Sequence, residues 1–217
     1  EGNDGVRLRL ATAFPAIAQS VEEIDQARAD AFAALDELEQ RPLKVADPFR
    51  EVGSTAFYLA YQGFHDRAYQ ERLARLHARA CPALLDRAPH CRNGRTARPQ
   101  NRRIRVGFIS TFLRNHTIGR LNRGLIAGLD RRRFEVTVFA TKAADPGDPI
   151  ARSIQGSADH VVVLPPGLEA SRRAIAETQL DVLYYADVGM VPLTYFLAFA
   201  RLAPVQLTTW GHPLTTG

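Results

Sequence analysis

Lysine is almost missing from this chain of 217 residues: Lys44 and Lys142 are the only two, so arginine carries nearly all of the basic charge. The arginines are scattered along the chain. They form no strip of alternating basic and aromatic residues of the kind that follows single-stranded nucleic acid. A formal net charge of +5 and a pI near 9.6 therefore read as a basic surface, and no nucleic-acid partner is expected. Cysteine is equally scarce. Cys81 and Cys91 have no second pair beside them and match neither a zinc template nor a redox motif, which points to a reducing, cytoplasmic setting. No apolar run is long enough to cross a bilayer, so no membrane partner is expected either. Glu1 opens the chain with neither an initiator methionine nor a signal-peptide pattern, and an excerpt from a longer polypeptide is expected.

What is present is 46% hydrophobic and 24% charged residues, the proportions of an ordinary globular protein with a sizeable core. The first part is helical. "SVEEIDQARADAFAALDELEQ" opens on a capping box, with Ser20 accepting from a free backbone N–H and Glu23 reaching back. Ile24, Ala27, Ala31, Leu35 and Leu38 then recur at helical spacing and are expected to face one core. "STAFYLAYQGFHDRAYQERLARLHARACPALL" gives two more helical stretches broken near Gly63. Leu73, Leu76 and Ala80 share a face there, and Tyr58, Tyr61 and Phe64 read as core aromatics. Residues 1–90 are thus expected to form a helical-hairpin domain, tetratricopeptide-like in appearance but without a clean repeat. The polar stretch 87–103 marks a boundary, with the linker itself at 91–103.

Beyond it the rhythm changes. Strand-like runs at 104–110, 134–140, 160–165, 181–187 and 204–210 alternate with helical ones about five times. Strands that read as continuous apolar runs predict a parallel sheet covered on both faces. The expected fold class is therefore α/β: a Rossmann-like, doubly wound parallel sheet over residues 104–217, preceded by an all-helical domain.

Ligands of such sheets bind at the carboxyl ends of the strands, where three loops carry reactive side chains. "STFLRNHTIGR" lacks the glycine pattern of a dinucleotide site, but sets Asn115, His116 and Thr117 just before a helix. His116 there either meets a ligand or bonds to backbone. "YYADVGMVP" carries Asp187, which either binds or holds its loop by accepting backbone N–H bonds. Asp181 lies at the opposite end of that strand, where capping or pairing is the expected role. The terminal "TTWGHPLTTG" places His212 between Gly211 and Pro213, with Thr215, Thr216 and Gly217 following. Catalysis, ligand binding and turn geometry each account for that histidine. His65, His77, His90 and His160 read as structural or exposed, and the six histidines form no metal cluster.

"IRVGFISTFLRNHTIGRL" followed at a distance by "RLAPVQLTTWGHPLTTG" resembles the catalytic region of the O-linked N-acetylglucosamine transferase family, including its SPINDLY-type bacterial members. The matching positions are Asn115-His116, then Ala203-Pro204-Val205-Gln206, then Gly211 to Gly217. Bacterial cytoplasmic N-glycosyltransferases of adhesins carry similar segments. The resemblance covers residues 103–217, and the helical half more loosely. It implies a GT-B enzyme, two Rossmann-like domains facing across a cleft, of which 104–217 is the N-terminal one and the donor-binding domain would follow. It implies inverting, metal-independent transfer of GlcNAc or a hexose from a UDP-sugar to a protein side chain, with no cofactor. The implied partners are a protein acceptor, the nucleotide sugar and the C-terminal GT-B domain of the same polypeptide; the fragment alone is expected to be inactive. In that frame His116 is the candidate catalytic residue. Asn115, Thr117, Asp187, Gly211, His212, Pro213, Thr215, Thr216 and Gly217 are candidates for substrate or donor binding, with no metal. The sequence departs from the better-known members at Asp181, where they place a second histidine. A non-catalytic protein-binding module and a small-molecule glycosyltransferase are the alternatives.

Overall fold

A computed structural model of the chain describes residues 3–92 and 102–209. The candidates Gly211, His212, Pro213, Thr215, Thr216 and Gly217 lie outside the described residues. The helical part runs α1 (Asp4–Ala11), α2 (Val21–Glu39), α3 (Pro48–Glu51), a 3₁₀ turn (Phe57–Gln62) and α4 (Arg67–Ala80). Local chemistry sets the starts of the first three. Asn3, Ser20 and Asp47 each accept from the free backbone N–H groups of the first helical turn. At α2 the Ser20 hydroxyl takes the Glu23 N–H at 3.2 Å, while the Glu23 carboxylate reaches back to the Gln19 N–H, one residue earlier than in a standard capping box. Gly63, with φ at 77°, ends the 3₁₀ turn where only glycine is unstrained.

The second part alternates: β1 (Ile104–Ile109), α5 (Thr117–Gly128), β2 (Phe134–Ala140), α6 (Pro149–Ser157), β3 (His160–Val163), α7 (Leu168–Glu177), β4 (Val182–Tyr185), α8 (Pro192–Leu197) and β5 (Val205–Thr208). All five strands are parallel, in the order β3-β2-β1-β4-β5. This is the α/β, Rossmann-like sheet that the alternation predicts.

Side chains alternate between its two faces, as strand geometry requires. Val106, Phe108, Val136 and Val138 pack with Leu113, Ile126 and Ile154 beneath α5 and α6. Ile109, Phe139, Leu183 and Tyr185 face the other way, into a cluster with α7 and α8 that continues without a break into Leu35, Leu38, Leu73 and Leu76 of the helical layer. Gly107 lies on this second face because a Cβ there would meet Leu180 at 2.5 Å and Phe139 at 2.8 Å.

One expectation needs correction. Tyr58, Tyr61 and Phe64 are not core residues: they are 41%, 68% and 49% exposed. The 3₁₀ turn buries Leu59 instead, and its tighter pitch puts Tyr58 and Tyr61, three residues apart, on the exposed side. Phe64 lies under the Arg28 guanidinium, 4.6 Å from its ring centre. The start of the polar boundary stretch is bonded to the second part of the chain. Arg87 forms a parallel bridge with Arg201, the Ala88 N–H donates to the Arg201 carbonyl at 2.9 Å, and Cys91 is buried. The two backbone contacts among these are ones that arginine-rich sequence does not disclose.

His77, on α4, is the most deeply enclosed histidine described, 1% exposed among the rings of Tyr195, Phe196 and Phe199. Neither ring nitrogen has a hydrogen-bond partner among the described residues. Burial pushes its pKa down to about 3. The unfolded chain therefore binds a proton that the native state refuses between pH 6.5 and 3. Stability from this group is complete above pH 6.5 and is lost as pH falls, by about 1.4 kcal/mol per unit. His77→Phe is expected to hold or raise stability at pH 7, since an unpartnered polar ring is replaced by an apolar one. At pH 5 it should stand about 2 kcal/mol further above the parent than at pH 7. Denaturant unfolding at the two pH values checks this, and an equal difference at both would refute it.

Candidate functional site

Strand order reverses at β1: the chain steps outward to β2 and β3, then returns to place β4 on β1's other side. Loops leaving β1 and β4 must diverge to opposite faces, which opens a crevice between their carboxyl ends. The candidates Asn115, His116 and Asp187 lie on the two loops flanking that crevice, and Thr117 is the first residue of α5. β5 runs parallel beside β4, and Thr209 leaves it at the same rim, its N–H donating to the Tyr185 carbonyl at 3.3 Å.

The β1 loop is held by short local bonds. Ser110 Oγ accepts from the Phe112 N–H at 2.8 Å, and the N–H groups of Arg114 and His116 donate back to the carbonyls of Phe112 and Arg114. Gly119 lets the first turn of α5 lie directly on this loop: a Cβ there would sit 2.0 Å from the Arg114 carbonyl oxygen. His116 is the N-cap of α5. Its Nδ1 accepts from the Ile118 N–H at 3.2 Å, and its ring stacks on Phe112, centroids 4.4 Å apart. Burial, aided by the Arg114 charge, lowers its pKa below the ordinary histidine value. The ring is therefore neutral at pH 7. With Nδ1 accepting, the proton resides on Nε2, leaving an N–H donor free for another group. Of the two roles open to this histidine from sequence, Nδ1 makes the backbone bond, and Nε2 has no partner among the described residues.

Asn115 and Thr117 are exposed on either side of it. The Asn115 side-chain oxygen is held by the Arg120 guanidinium at 2.8 and 3.1 Å, and its N–H donates to Asp148 Oδ2 at 2.7 Å. Asp148 also caps α6 through the N–H groups of Ile150 and Ala151. One carboxylate thus ties two loops, and these backbone bonds hold its pKa below the ordinary value.

Asp187 lies deeper, 1% exposed at the end of β4. The Asp187 carbonyl accepts from the Met190 N–H at 3.1 Å, with Gly189, φ 92°, at the third position of the turn, where a positive φ requires glycine. Thr55 of the helical layer anchors that turn by donating to the Gly189 carbonyl at 2.6 Å. The carboxylate does not hold the loop. Neither of its oxygens completes a hydrogen bond among the described residues, and burial pushes its pKa up to about 7. The Ser110 hydroxyl, Thr111 N–H and Thr194 hydroxyl face it and only partly offset that burial.

Asp181, at the opposite rim, pairs as expected: with Arg102 at 2.7 Å and with the Arg105 N–H at 2.8 Å. Among the described residues no three His, Cys, Asp or Glu side chains gather as a metal site, and no helix is long and apolar enough to cross a membrane. Sequence reasoning missed Ser110, Thr55 and the second role of Asp148. The Asp-Pro start of α6 was a legible signal for the cap; the bond to Asn115 spans 33 residues and left none.

Forty-two chains of solved structures match this fold. Among them is a mutant O-GlcNAc transferase of Thermobaculum terrenum, 20% identical, with a TM-score of 0.60 over 85% of this chain and 34% of that one. The chain thus spans about a third of that protein's length, and the likeness is one of fold. No family profile and no curated protein sequence matches the chain.

Proposed function

We propose that the chain is the N-terminal Rossmann-like half, with its helical layer, of an inverting GT-B transferase that moves GlcNAc or a hexose from a UDP-sugar to a side chain of a protein. The observation that carries this is the crevice where strand order reverses. Its two flanking loops hold an uncommitted neutral N–H donor on His116 and a desolvated carboxyl on Asp187, in a fold shared with part of an O-GlcNAc transferase. In such a transfer the acceptor attacks the anomeric carbon while the nucleoside diphosphate leaves, and preorganised donors facing the developing charge lower the barrier most. His116 Nε2–H is suited to that task, on the sugar or on the acceptor. It is poorly suited to taking the acceptor's proton, because its one lone pair caps α5. Asn115 and Thr117 border the same opening, and Gly211, His212, Pro213, Thr215, Thr216 and Gly217 would complete the donor contacts from beyond β5. The helical segment 1–90 braces one face of the sheet and the β4 turn, and 91–103 joins it to the Rossmann-like domain.

The test is transfer by the full-length polypeptide, with UDP-GlcNAc and UDP-glucose labelled in the sugar, in the presence of EDTA and of protein acceptors. Protein-bound label with matching UDP release is the expected result. Neither label nor UDP release from either donor would overturn the reading, and label found only on small hydroxylated compounds would remove the protein acceptor from it.

A further inference from the structure

Beside the crevice, between the carboxyl ends of β1 and β2, lies a cavity of about 140 Å³. Its polar lining includes Ser110, Thr111, Arg114, Thr141, Lys142 and Gln155. Asp145 and Asp148 also border it: both Asp148 oxygens accept from backbone, the N–H groups of Asn115, Ile150 and Ala151, and Asp145 Oδ1 accepts from that of Gly147. The two cations are differently placed. Arg114 Nε is buried without a hydrogen-bond partner; its guanidinium lies over the Phe112 ring, 5.7 Å away, and its charge also acts on Asp148. Lys142 makes no ion pair or hydrogen bond among the described residues. The arginines of the opposite rim, Arg102, Arg103 and Arg131, are all paired with carboxylates. A buried guanidinium N–H without an acceptor is costly, and an incoming oxyanion would supply one.

Size narrows the occupant. Sites that enclose whole small-molecule ligands measure roughly 300–1,000 Å³, so this cavity takes the end of a side chain and not a nucleoside diphosphate. We propose that it is a specificity subsite of the transferase, in which Arg114 and Lys142 receive an acidic side chain of the acceptor polypeptide close to the residue that is modified. The carboxylate would accept from both cations and from the hydroxyls at the cavity wall, fixing the register of the acceptor against His116. The identity of the polypeptide as an acceptor rests on the proposed function; the recognition of the carboxylate does not.

The test therefore reads binding. Full-length protein is titrated with the fluorescently labelled peptide Gly-Glu-Ser-Asn-Glu-Gly, amidated at its C-terminus, and with its counterpart carrying Gln for Glu, at 0.15 M salt. The Glu peptide is expected to bind at least tenfold more tightly. Lys142→Met, at an exposed position, and Arg114→Met should each remove most of that preference while leaving UDP binding unchanged. Equal binding of the two peptides, or a preference that survives both substitutions, would overturn the proposal. So would a loss of UDP affinity with peptide binding intact, which would assign the cations to the donor. Failure of the glycosyl-transfer reading shows separately, as a retained Glu preference with no sugar incorporated.

Discussion

Under the proposed transfer, His116→Asn is expected to leave the fold standing and to lower turnover by the full-length polypeptide by a factor of about 10²–10³, the cost of one preorganised donor. Asparagine is the informative replacement because the histidine does two jobs. Its Nδ1 caps α5 by accepting from the Ile118 N–H, and an asparagine side-chain oxygen is among the best substitutes for that cap. Asparagine does not reproduce the Nε2–H at the same reach, so cap and donor separate. His116→Ala removes both and should cost about 1 kcal/mol of stability in addition. Acid offers a second readout. A proton added to the ring must go to Nδ1, which ends the cap, and the pKa is already held below the ordinary value by burial and by Arg114. The Nε2–H survives that protonation, but the ring loses the bond that positions it; turnover of the parent should therefore fall with a midpoint below pH 6.5, and the residual activity of the asparagine variant should lack that limb. Near-parental turnover in His116→Asn would remove this residue from the chemistry.

The alternation of strands and helices after residue 103 was legible because each strand is a short β-branched or aromatic run and each helix has an amphipathic period; "FEVTVFA" is β2 residue for residue. The position of His116 before a helix was also visible, since the strand ends at Ile109 and periodicity resumes at Ile118. The state of Asp187 was not. Sequence placed it at the right rim, but whether a carboxylate there is solvated, bonded to backbone or stranded depends on Ser110 and Thr194 of other elements closing over it. Tyr58, Tyr61 and Phe64 failed for a related reason. A helical reading turns 3.6-residue spacing into a buried face, whereas the 3₁₀ turn at Phe57–Gln62 buries Leu59 and puts Tyr58 and Tyr61, three residues apart, on one exposed side. What joins the helical layer to the site, the Thr55 to Gly189 bond, links residues 134 apart and has no local signature.

Asp187→Asn should stabilise the protein, by roughly 4 kcal/mol at pH 8 and by less than about 1 kcal/mol at pH 4. The sign follows from the raised pKa. Between the unfolded value of 3.8 and the folded value of about 7, the native state retains a proton that the unfolded chain releases. Rising pH through that window therefore favours unfolding, and above pH 7 the native protein holds a charge buried without a hydrogen-bond partner. Asparagine is neutral at every pH and close to the protonated side chain in shape, so its advantage grows with pH. His77 opposes this trend over part of the range: its contribution is lost as pH falls below 6.5, while that of Asp187 is regained. Between pH 4 and 6.5 the two slopes nearly cancel in the parent, and each single variant should expose the other. A carboxylate whose removal stabilises the fold needs another reason to be there. If Asp187 serves transfer, the stabilised Asn variant should lose turnover with KM for the UDP-sugar changed less than kcat. Chemical denaturation at pH 4, 6 and 8 beside steady-state kinetics checks both halves. A variant destabilised at pH 8 would show that the masking of this carboxylate by burial has been misjudged, whereas a stabilised variant with full activity would leave Asp187 without a part in the reaction.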